Sequence, residues 1–181
     1  AFSLEGADFL FMGAGTERAQ KAALADFVRY GDAVRAAAKD GVSMLFAGTA
    51  MELLGQTVTD ADGVSSDALG LGGFTSVQGR QRIVGDVYGT TDLYTEPVVG
   101  FMNKCSLIHG VETPLLTTCA MGFGNEAQGG PEGFQYKNVL ASQITGPILV
   151  KNPRLLDHVA ASILESRGAP LPQERQEFPR T

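Results

Sequence analysis

The fold follows from one stretch of sequence, Val42-Ser43-Met44-Leu45-Phe46-Ala47-Gly48-Thr49-Ala50-Met51-Glu52-Leu53-Leu54. Its first six residues form an apolar run of strand length, and Gly48-Thr49 marks a sharp turn into a segment that predicts a helix. A buried strand that turns straight into a helix is the geometry of a nucleophile elbow, in which the side chain at the apex stands above a sheet. The apex here is Gly48, which has no side chain, and glycine at such a place is most often ordinary turn chemistry.

A similar unit precedes this stretch. Residues 7–12 form an apolar run that ends at Gly13-Ala14-Gly15, and over residues 16–40 apolar side chains recur every three or four positions, as in an amphipathic helix. The order strand, helix, strand, helix with short connections predicts parallel strands with helices on the sheet faces. Ligands of such sheets bind at the carboxyl ends of the strands. We therefore expect residues 13–15 and Gly48-Thr49 along the same edge of the sheet.

The second half of the chain has a different texture. Between positions 69 and 149, short β-rich runs such as residues 82–88 and 97–101 alternate with glycine-rich turns, which predicts strands. Asn152-Pro153 and the periodic apolar residues after it predict a last helix that ends at Arg167-Gly168.

These elements predict one domain over residues 1–168 and a polar tail over residues 169–181. An open α/β sheet ordinarily has more strands before the one at Phe9. We therefore expect that the domain, as given, lacks an upstream βα unit.

Composition and charge narrow the function classes. The chain has 181 residues, of which 44% are hydrophobic, and its 20 acidic and 14 basic side chains give a formal net charge of −6. No apolar run approaches the roughly 18 residues of a membrane span, and the chain shows neither a signal-peptide pattern nor a basic stripe for nucleic acid. Its two cysteines and two histidines form neither metal-ligand spacing nor a disulfide framework. We expect no metal, no cofactor and a cytoplasmic location.

Five short blocks, in a consistent order, carry a resemblance. They are residues 9–20, residues 48–55, Val98-Val99-Gly100-Phe101-Met102-Asn103, Gly122-Phe123-Gly124-Asn125 with Glu132-Gly133 and residues 136–139, and Gly146-Pro147-Ile148-Leu149 with Lys151-Asn152-Pro153. Together they resemble class I glutamine amidotransferases of the cobyric-acid-synthase-like (CobB/CobQ-like) branch, and within it the glutaminase subunit of lipid II isoglutaminyl synthase. The resemblance implies an α/β, flavodoxin-like fold: an open, mainly parallel sheet with flanking helices and a β-rich second half.

The same resemblance places the family's glutamine-hydrolysing residues on positions that lack them. The elbow Cys-Gly-Gly-Tyr-Gln-Leu-Leu-Gly corresponds to residues 48–55, so Gly48 takes the place of the Cys nucleophile, and Thr145 takes the place of the His base. The family's Asn-His-Ser/Gly-Gly-Arg-Thr corresponds to residues 103–108, so Leu107 takes the place of the Arg that holds the substrate glutamine. The remaining positions of the oxyanion loop and substrate pocket are Gly13, Ala14, Gly15, Thr49 and Asn103.

Other reactive side chains do not replace the lost ones. Cys105 and His109 are four residues apart, which is about 13 Å along a strand and too far for a hydrogen bond. We interpret both as core or turn residues. Glu52 replaces the Gln of the family's elbow, and we expect it in a helix-surface or capping interaction.

The sequence therefore favours a catalytically silent amidotransferase-like domain, a pseudoenzyme that acts as a binding or scaffolding module. The resemblance implies a heterodimer with a Mur-ligase-like or other synthetase subunit, glutamine as the ligand, and a role in peptidoglycan (cell-wall) or cobalamin (corrinoid) biosynthesis. One alternative is an active glutaminase or amidohydrolase with a different nucleophile. Another is a sensor domain that binds a small anion through N–H groups near Gly13, Gly15 and Thr49.

Overall fold

Two β-sheets and the helices around them organise residues 3–171, the part of the protein that the computed structural model describes. The strands are β1 (Phe9–Met12), β2 (Ser43–Ala47), β3 (Thr57–Thr59), β4 (Ser65–Asp67), β5 (Thr75–Thr90), β6 (Val98–His109), β7 (Thr118–Met121), β8 (Phe134–Tyr136), β9 (Val139–Ser142) and β10 (Ile144–Thr145). The α-helices are α1 (Glu17–Phe27), α2 (Gly31–Lys39), α3 (Ile148–Lys151) and α4 (Pro153–Ser166). Two 3₁₀ helices cover Val28–Tyr30 and Gly48–Leu54.

The first sheet has the strand order β1-β2-β9-β8. Strands β1, β2 and β9 are parallel, and β8 is antiparallel to β9. The central strand β2 is buried on both faces, with Met44 and Phe46 in one apolar cluster and Leu45 and Ala47 in another. Burial on both faces explains why this strand is a continuous apolar run. The predicted fold class, α/β with an open, mainly parallel sheet, is confirmed.

The second sheet, β10-β6-β5-β3-β4 with β7 paired to β5, accounts for the β-rich second half. The runs predicted at residues 82–88 and 97–101 are parts of two much longer strands, β5 and β6, which pair antiparallel from Gly89 opposite Val98 to Thr75 opposite His109. The register shifts between Gln78 and Ile83. The first half of β5 was not predicted because its residues 79–82 are exposed, so no alternation of buried and exposed positions marks them.

The helix predicted over residues 16–40 is two α-helices with a 3₁₀ turn between them. Thr16 caps α1, and its hydroxyl accepts the Ala19 N–H at 3.2 Å. At the start of α2, a Cβ on Gly31 would lie 3.1 Å from the Leu69 side chain. The helix predicted after Gly48 is a 3₁₀ helix that ends at Gly55, where a Cβ would lie 2.7 Å from the Phe74 carbonyl oxygen.

The last helix begins and ends where the sequence predicts. Helix α4 has Asn152 as its N-cap residue and Arg167 as its C-cap residue, and its Leu155 and Val159 contact the cluster on one face of β2. Of the predicted polar tail, residues 172–181 lie outside the described residues, and the predicted upstream βα unit stays a prediction. Within residues 3–171, no helix combines the length and the apolarity that a membrane crossing requires.

Candidate functional site at the elbow

Three chain segments meet at the carboxyl ends of the parallel strands. Met12 at the end of β1 pairs with Phe46, and Ala47 at the end of β2 pairs with Ser142 at the end of β9. The loop after β1, the elbow after β2 and strand β10 therefore start side by side. The sequence predicted this shared edge for the first two of them.

Ala14 and Thr145 both border the Gly48 position at this edge. Gly48 has a φ of +62°, a backbone conformation that residues with a side chain rarely adopt. A Cβ on Gly48 would lie 2.5 Å from the Ala14 Cβ and 3.2 Å from the Thr145 Cγ2. The structure thus brings together the positions that the sequence assigned to the nucleophile, the oxyanion loop and the base.

The trio contains neither a Cys thiol nor a His imidazole. Gly48 has no side chain and Ala14 has only a methyl group. The Thr145 hydroxyl donates a hydrogen bond to the Phe101 carbonyl oxygen at 3.1 Å, and a hydroxyl does not accept a proton near neutral pH.

The glycine loop is hydrogen-bonded to the elbow itself. The Thr49 hydroxyl accepts the Gly15 N–H at 3.0 Å and donates to the Gly15 carbonyl oxygen at 3.1 Å. The Thr49 carbonyl oxygen accepts a hydrogen bond from the buried Gln20 side chain at 2.9 Å. The Gly15 N–H, one of the donors that the anion-sensor alternative requires, is therefore already occupied. Gly13 lines a cavity beside this loop.

Asn103 lies on the exposed face of β6, next to an arginine that the sequence analysis missed. Arg82 Nη1 donates to Asn103 Oδ1 at 3.0 Å, and Arg82 Nη2 donates to Glu17 Oε1 at 2.7 Å. Desolvation raises the pKa of Glu17, but hydrogen bonds from a backbone N–H, the Cys105 thiol and Arg82, together with the Arg82 charge, lower it overall. Arg82 carries no motif in the sequence, and only the pairing of β5 with β6 brings it here.

Leu107 does not join the Gly48 cluster. It pairs with Val77, six residues along β6 from Phe101, the residue opposite Thr145. At 3.3 Å per residue this separation is about 20 Å. The assignment of Leu107 to the substrate-holding Arg stays a prediction from the resemblance.

Cys105 and His109 have different partners. The Cys105 thiol lies 3.4 Å from Glu17 Oε1, whereas His109 Nδ1 lies 2.6 Å from Glu126 Oε1. Burial, aided by Glu17, raises the pKa of Cys105 to about 11, so the nucleophilic thiolate is scarce near neutral pH. The structure therefore gives the two side chains separate partners. The interpretation of both as core or turn residues is wrong, because both lie on strand β6, where Cys105 is half-buried and His109 is exposed.

A buried polar network lies on the inner side of β6. Its members are Glu52, Ser76, Lys104, Ser106, Glu132, Ser142 and Gln143. Ser76 and Ser106 donate to the two Glu52 carboxylate oxygens at 2.7 and 2.5 Å. The Gln143 amide nitrogen donates to Ser106 Oγ at 3.1 Å, and Lys104 Nζ donates to Gln143 Oε1 at 2.7 Å. These bonds join the elbow helix, both long strands and the connection between β9 and β10.

The far end of this network is the fully buried Glu132. Its carboxylate accepts the Gln143 N–H at 2.6 Å and the Ser142 hydroxyl at 2.8 Å. Burial raises the pKa of Glu132 to about 7, and burial lowers the pKa of Lys104 to about 8. The expected surface or capping role of Glu52 is wrong, because Glu52 is 1% exposed. Sequence reasoning could not place it, since charged residues rarely lie in a core.

The network also explains several blocks of the resemblance. Lys104 Nζ donates to the Gly124 and Asn125 carbonyl oxygens, and the Asn125 side chain bonds Gly133 in both directions at 3.0 and 2.9 Å. Residues 122–125 and 132–133 therefore serve to enclose a buried charge. Over residues 3–171, His, Cys, Asp and Glu side chains form no group of three placed to hold a metal ion.

The fold and the elbow define a class I glutamine amidotransferase domain. A solved glutamine amidotransferase superposes with a TM-score of 0.59 at 19% identity, covering 92% of this chain and 82% of that one. A second, from Thermotoga maritima, gives 0.51 at 14% identity, with 92% and 75% covered. A family model of the CobB/CobQ-like glutamine amidotransferase domain matches residues 2–153. The chain belongs to this family.

Two curated relatives are each named lipid II isoglutaminyl synthase (glutamine-hydrolyzing) subunit GatD. The Staphylococcus aureus protein is 29% identical over 167 residues, which is 90% of this chain and 66% of the relative. The Streptococcus pneumoniae protein is 31% identical over 131 residues, which is 71% of this chain and 50% of the relative. The resemblance read from the sequence is confirmed, and the chain spans between half and two thirds of the length of these relatives.

Proposed function

We propose that this chain is a catalytically silent glutamine amidotransferase domain that acts as a docking or scaffolding subunit for a ligase-type enzyme. One observation carries the proposal: Ala14 and Thr145 border the Gly48 position, where an oxyanion loop, a base and a nucleophile are expected. The resemblance implies that glutamine hydrolysis uses a Cys nucleophile and a His base, and this trio has neither side chain.

The proposed partner is a Mur-ligase-like or other synthetase subunit. Both curated relatives are named as subunits of a synthase, which supports a subunit role for this chain. Both names contain lipid II, so we propose amidation of a peptidoglycan precursor in the cytoplasm rather than corrinoid chemistry. Loss of the nucleophile does not prevent docking, because binding energy at interfaces comes from a few buried contacts.

A glutaminase assay tests the catalytic half of the proposal. Purified protein is incubated with glutamine, alone and with candidate ligase subunits, and ammonia and glutamate are measured. We expect no release above a protein-free blank. Release that Cys105→Ser abolishes, while the matched control Cys119→Ser does not, would establish the alternative of an active glutaminase with a different nucleophile.

A binding assay tests the scaffolding half. Co-purification with a Mur-ligase-like subunit, followed by titration calorimetry, is expected to give a defined complex with the unaltered protein and with Gly48→Ala. Absence of a complex with every ligase subunit encoded nearby would contradict the scaffolding role. A thermal-shift screen of carboxylates and phosphates addresses the sensor alternative, for which stabilisation at millimolar ligand is required.

A further inference from the structure

One side chain joins the loop after β1 to the elbow after β2. The Thr49 hydroxyl lies 3.0 Å from the Gly15 nitrogen and 3.1 Å from the Gly15 carbonyl oxygen. A hydroxyl donates one hydrogen bond and accepts another at the same time, so both bonds form together. The family elbow has Gly at this position, and a glycine has no side chain with which to make either bond. The connection is therefore a property of this chain.

The neighbouring Ala14 lies against the Gly48 position. With Gly15 held against Thr49, the Ala14 methyl group is so close to Gly48 that a Cβ there would come within 2.5 Å of it. Real Cβ atoms do not approach other atoms so closely. The volume that a nucleophilic side chain would need is thus occupied by Ala14, and the Gly15 N–H is bonded to Thr49.

The loop after β1 also borders a cavity that leaves space for a second loop conformation. A cavity of about 100 Å³ borders it, lined by Gly13 and Gly15 of the loop, Ala19 of α1, and Thr49 and Leu53 of the elbow helix. Two glycines flank Ala14 and give the loop backbone freedom. A loop with a cavity beside it and few side-chain contacts moves easily once its hydrogen bonds are removed.

We propose that the Thr49 hydroxyl is a latch that holds residues 13–16 closed over Gly48 and so excludes a glutamine side chain from the elbow. This inference rests on the proposed function, because it explains how a site without a nucleophile is kept closed. Thr49 and Ala14 are then positioning residues: Thr49 fixes the loop, and Ala14 fills the space.

Amide exchange of Gly15 tests the latch directly. Thr49→Val keeps the shape of the side chain and removes the hydroxyl, whereas the matched control Thr49→Ser keeps the hydroxyl. Since a hydrogen bond contributes up to about 1.5 kcal/mol, we expect Gly15 exchange to be about tenfold faster in Thr49→Val and within about twofold of the unaltered protein in Thr49→Ser. Equal rates in all three proteins would overturn the latch.

Thiol labelling gives a second, independent readout. Iodoacetamide modification of the thiol introduced by Gly48→Cys is followed by mass spectrometry, with Cys105 and Cys119 as internal references. We expect labelling about tenfold faster when Gly48→Cys is combined with Thr49→Val or with Ala14→Gly than with Thr49→Ser. Equal labelling in these combinations would contradict the latch. If Gly48→Cys does not fold, the Gly15 exchange rates alone decide.

The latch and the proposed function fail in different ways. Ammonia release by the unaltered protein would contradict catalytic silence whatever the Gly15 exchange rate is. Unchanged Gly15 exchange in Thr49→Val would contradict the latch and would leave catalytic silence standing.

Discussion

The two faces of strand β6 differ in how their polar side chains are placed. On the outer face, Phe101 is 38% exposed, Asn103 accepts a hydrogen bond from Arg82, and the partly buried Cys105 lies beside Glu17. On the inner face, Lys104 and Ser106 are 2% and 1% exposed and belong to the buried polar network. The outer face thus has polar contacts at the surface, while the inner face carries a charged group into the core. The comparison teaches that the buried polar residues of this strand, Lys104 and Ser106, stabilise the fold through their hydrogen bonds.

Removal of the buried Lys104 ammonium group should disrupt the polar network on the inner face of β6 and give the largest loss of stability. Lys104→Met leaves the Gly124, Asn125 and Gln143 acceptors without a donor and removes the positive charge near Glu52 and Glu132. Loss of one partner from a buried charged group costs about 3–5 kcal/mol. Urea unfolding measures it, with the exposed Lys151→Met as the control. A loss below about 1 kcal/mol would mean that the inner face is not a structural network.

A pH titration of stability tests the burial of Glu132, at the far end of the network. Burial raises the pKa of Glu132 from 4.5 to about 7, so the folded protein favours the protonated carboxyl. The stability that this group contributes is complete below about pH 4.5 and is lost as the pH rises through about 7. Relative to Glu132→Gln, the unaltered protein should lose about 3 kcal/mol between pH 4.5 and 7.5.

Urea unfolding at several pH values measures this difference. Glu112→Gln, which removes an exposed carboxylate, is the matched control. A difference between the unaltered protein and Glu132→Gln that stays constant over this range would show that Glu132 titrates as an exposed glutamate does.

Substitutions at the elbow should give the smallest loss of stability. Two glycines separate the cost of backbone strain from the cost of a tight side-chain contact. Gly48 and Gly146 both have positive φ, but a Cβ on Gly146 would meet nothing within 4 Å, whereas one on Gly48 would press on Ala14. Gly146→Ala should therefore cost about 1 kcal/mol from backbone strain alone, and Gly48→Ala about 2–3 kcal/mol. Thermal unfolding compares them. Ala14→Gly should restore part of the loss in Gly48→Ala, and equal losses at both glycines would contradict the tight contact.

Much of the fold was predictable because its elements are periodic or strongly capped. The apolar run of β2 and the Asn152-Pro153 start of α4 both predict what the structure has. The full length of β5 was not predictable, because the exposed residues in its first half obey no buried–exposed alternation. Burial does alternate along β6, but its buried positions include Lys104 and Ser106, which hide the pattern in the sequence. The 3₁₀ helix after Gly48 also depends on distant contacts, since Phe74 limits the chain at Gly55.

The candidate site, like the fold, was only partly predictable from the sequence. The assignment of Gly48 and Thr145 to the nucleophile and the base comes from the family blocks and stays a prediction, although the structure places the two residues side by side. The roles of Glu52 and Arg82 could not be read from the sequence, since a charged side chain looks the same in a sequence whether its partners lie in a core or on a surface. Partners such as Ser106 and Glu17 are distant in the chain, and only strand pairing brings them into contact.

By itself, the sequence determined the α/β class, the amidotransferase family and the absence of Cys and His at Gly48 and Thr145, because apolar periodicity and residue identity are local properties. Only the tertiary structure decided that a Cβ on Gly48 would press on Ala14, that Thr49 bonds to Gly15, and that Lys104 is buried near two carboxylates. Those facts are distances and exposures. They depend on how parallel strands align their ends and on which face of β6 turns inward, and no stretch of neighbouring residues encodes either.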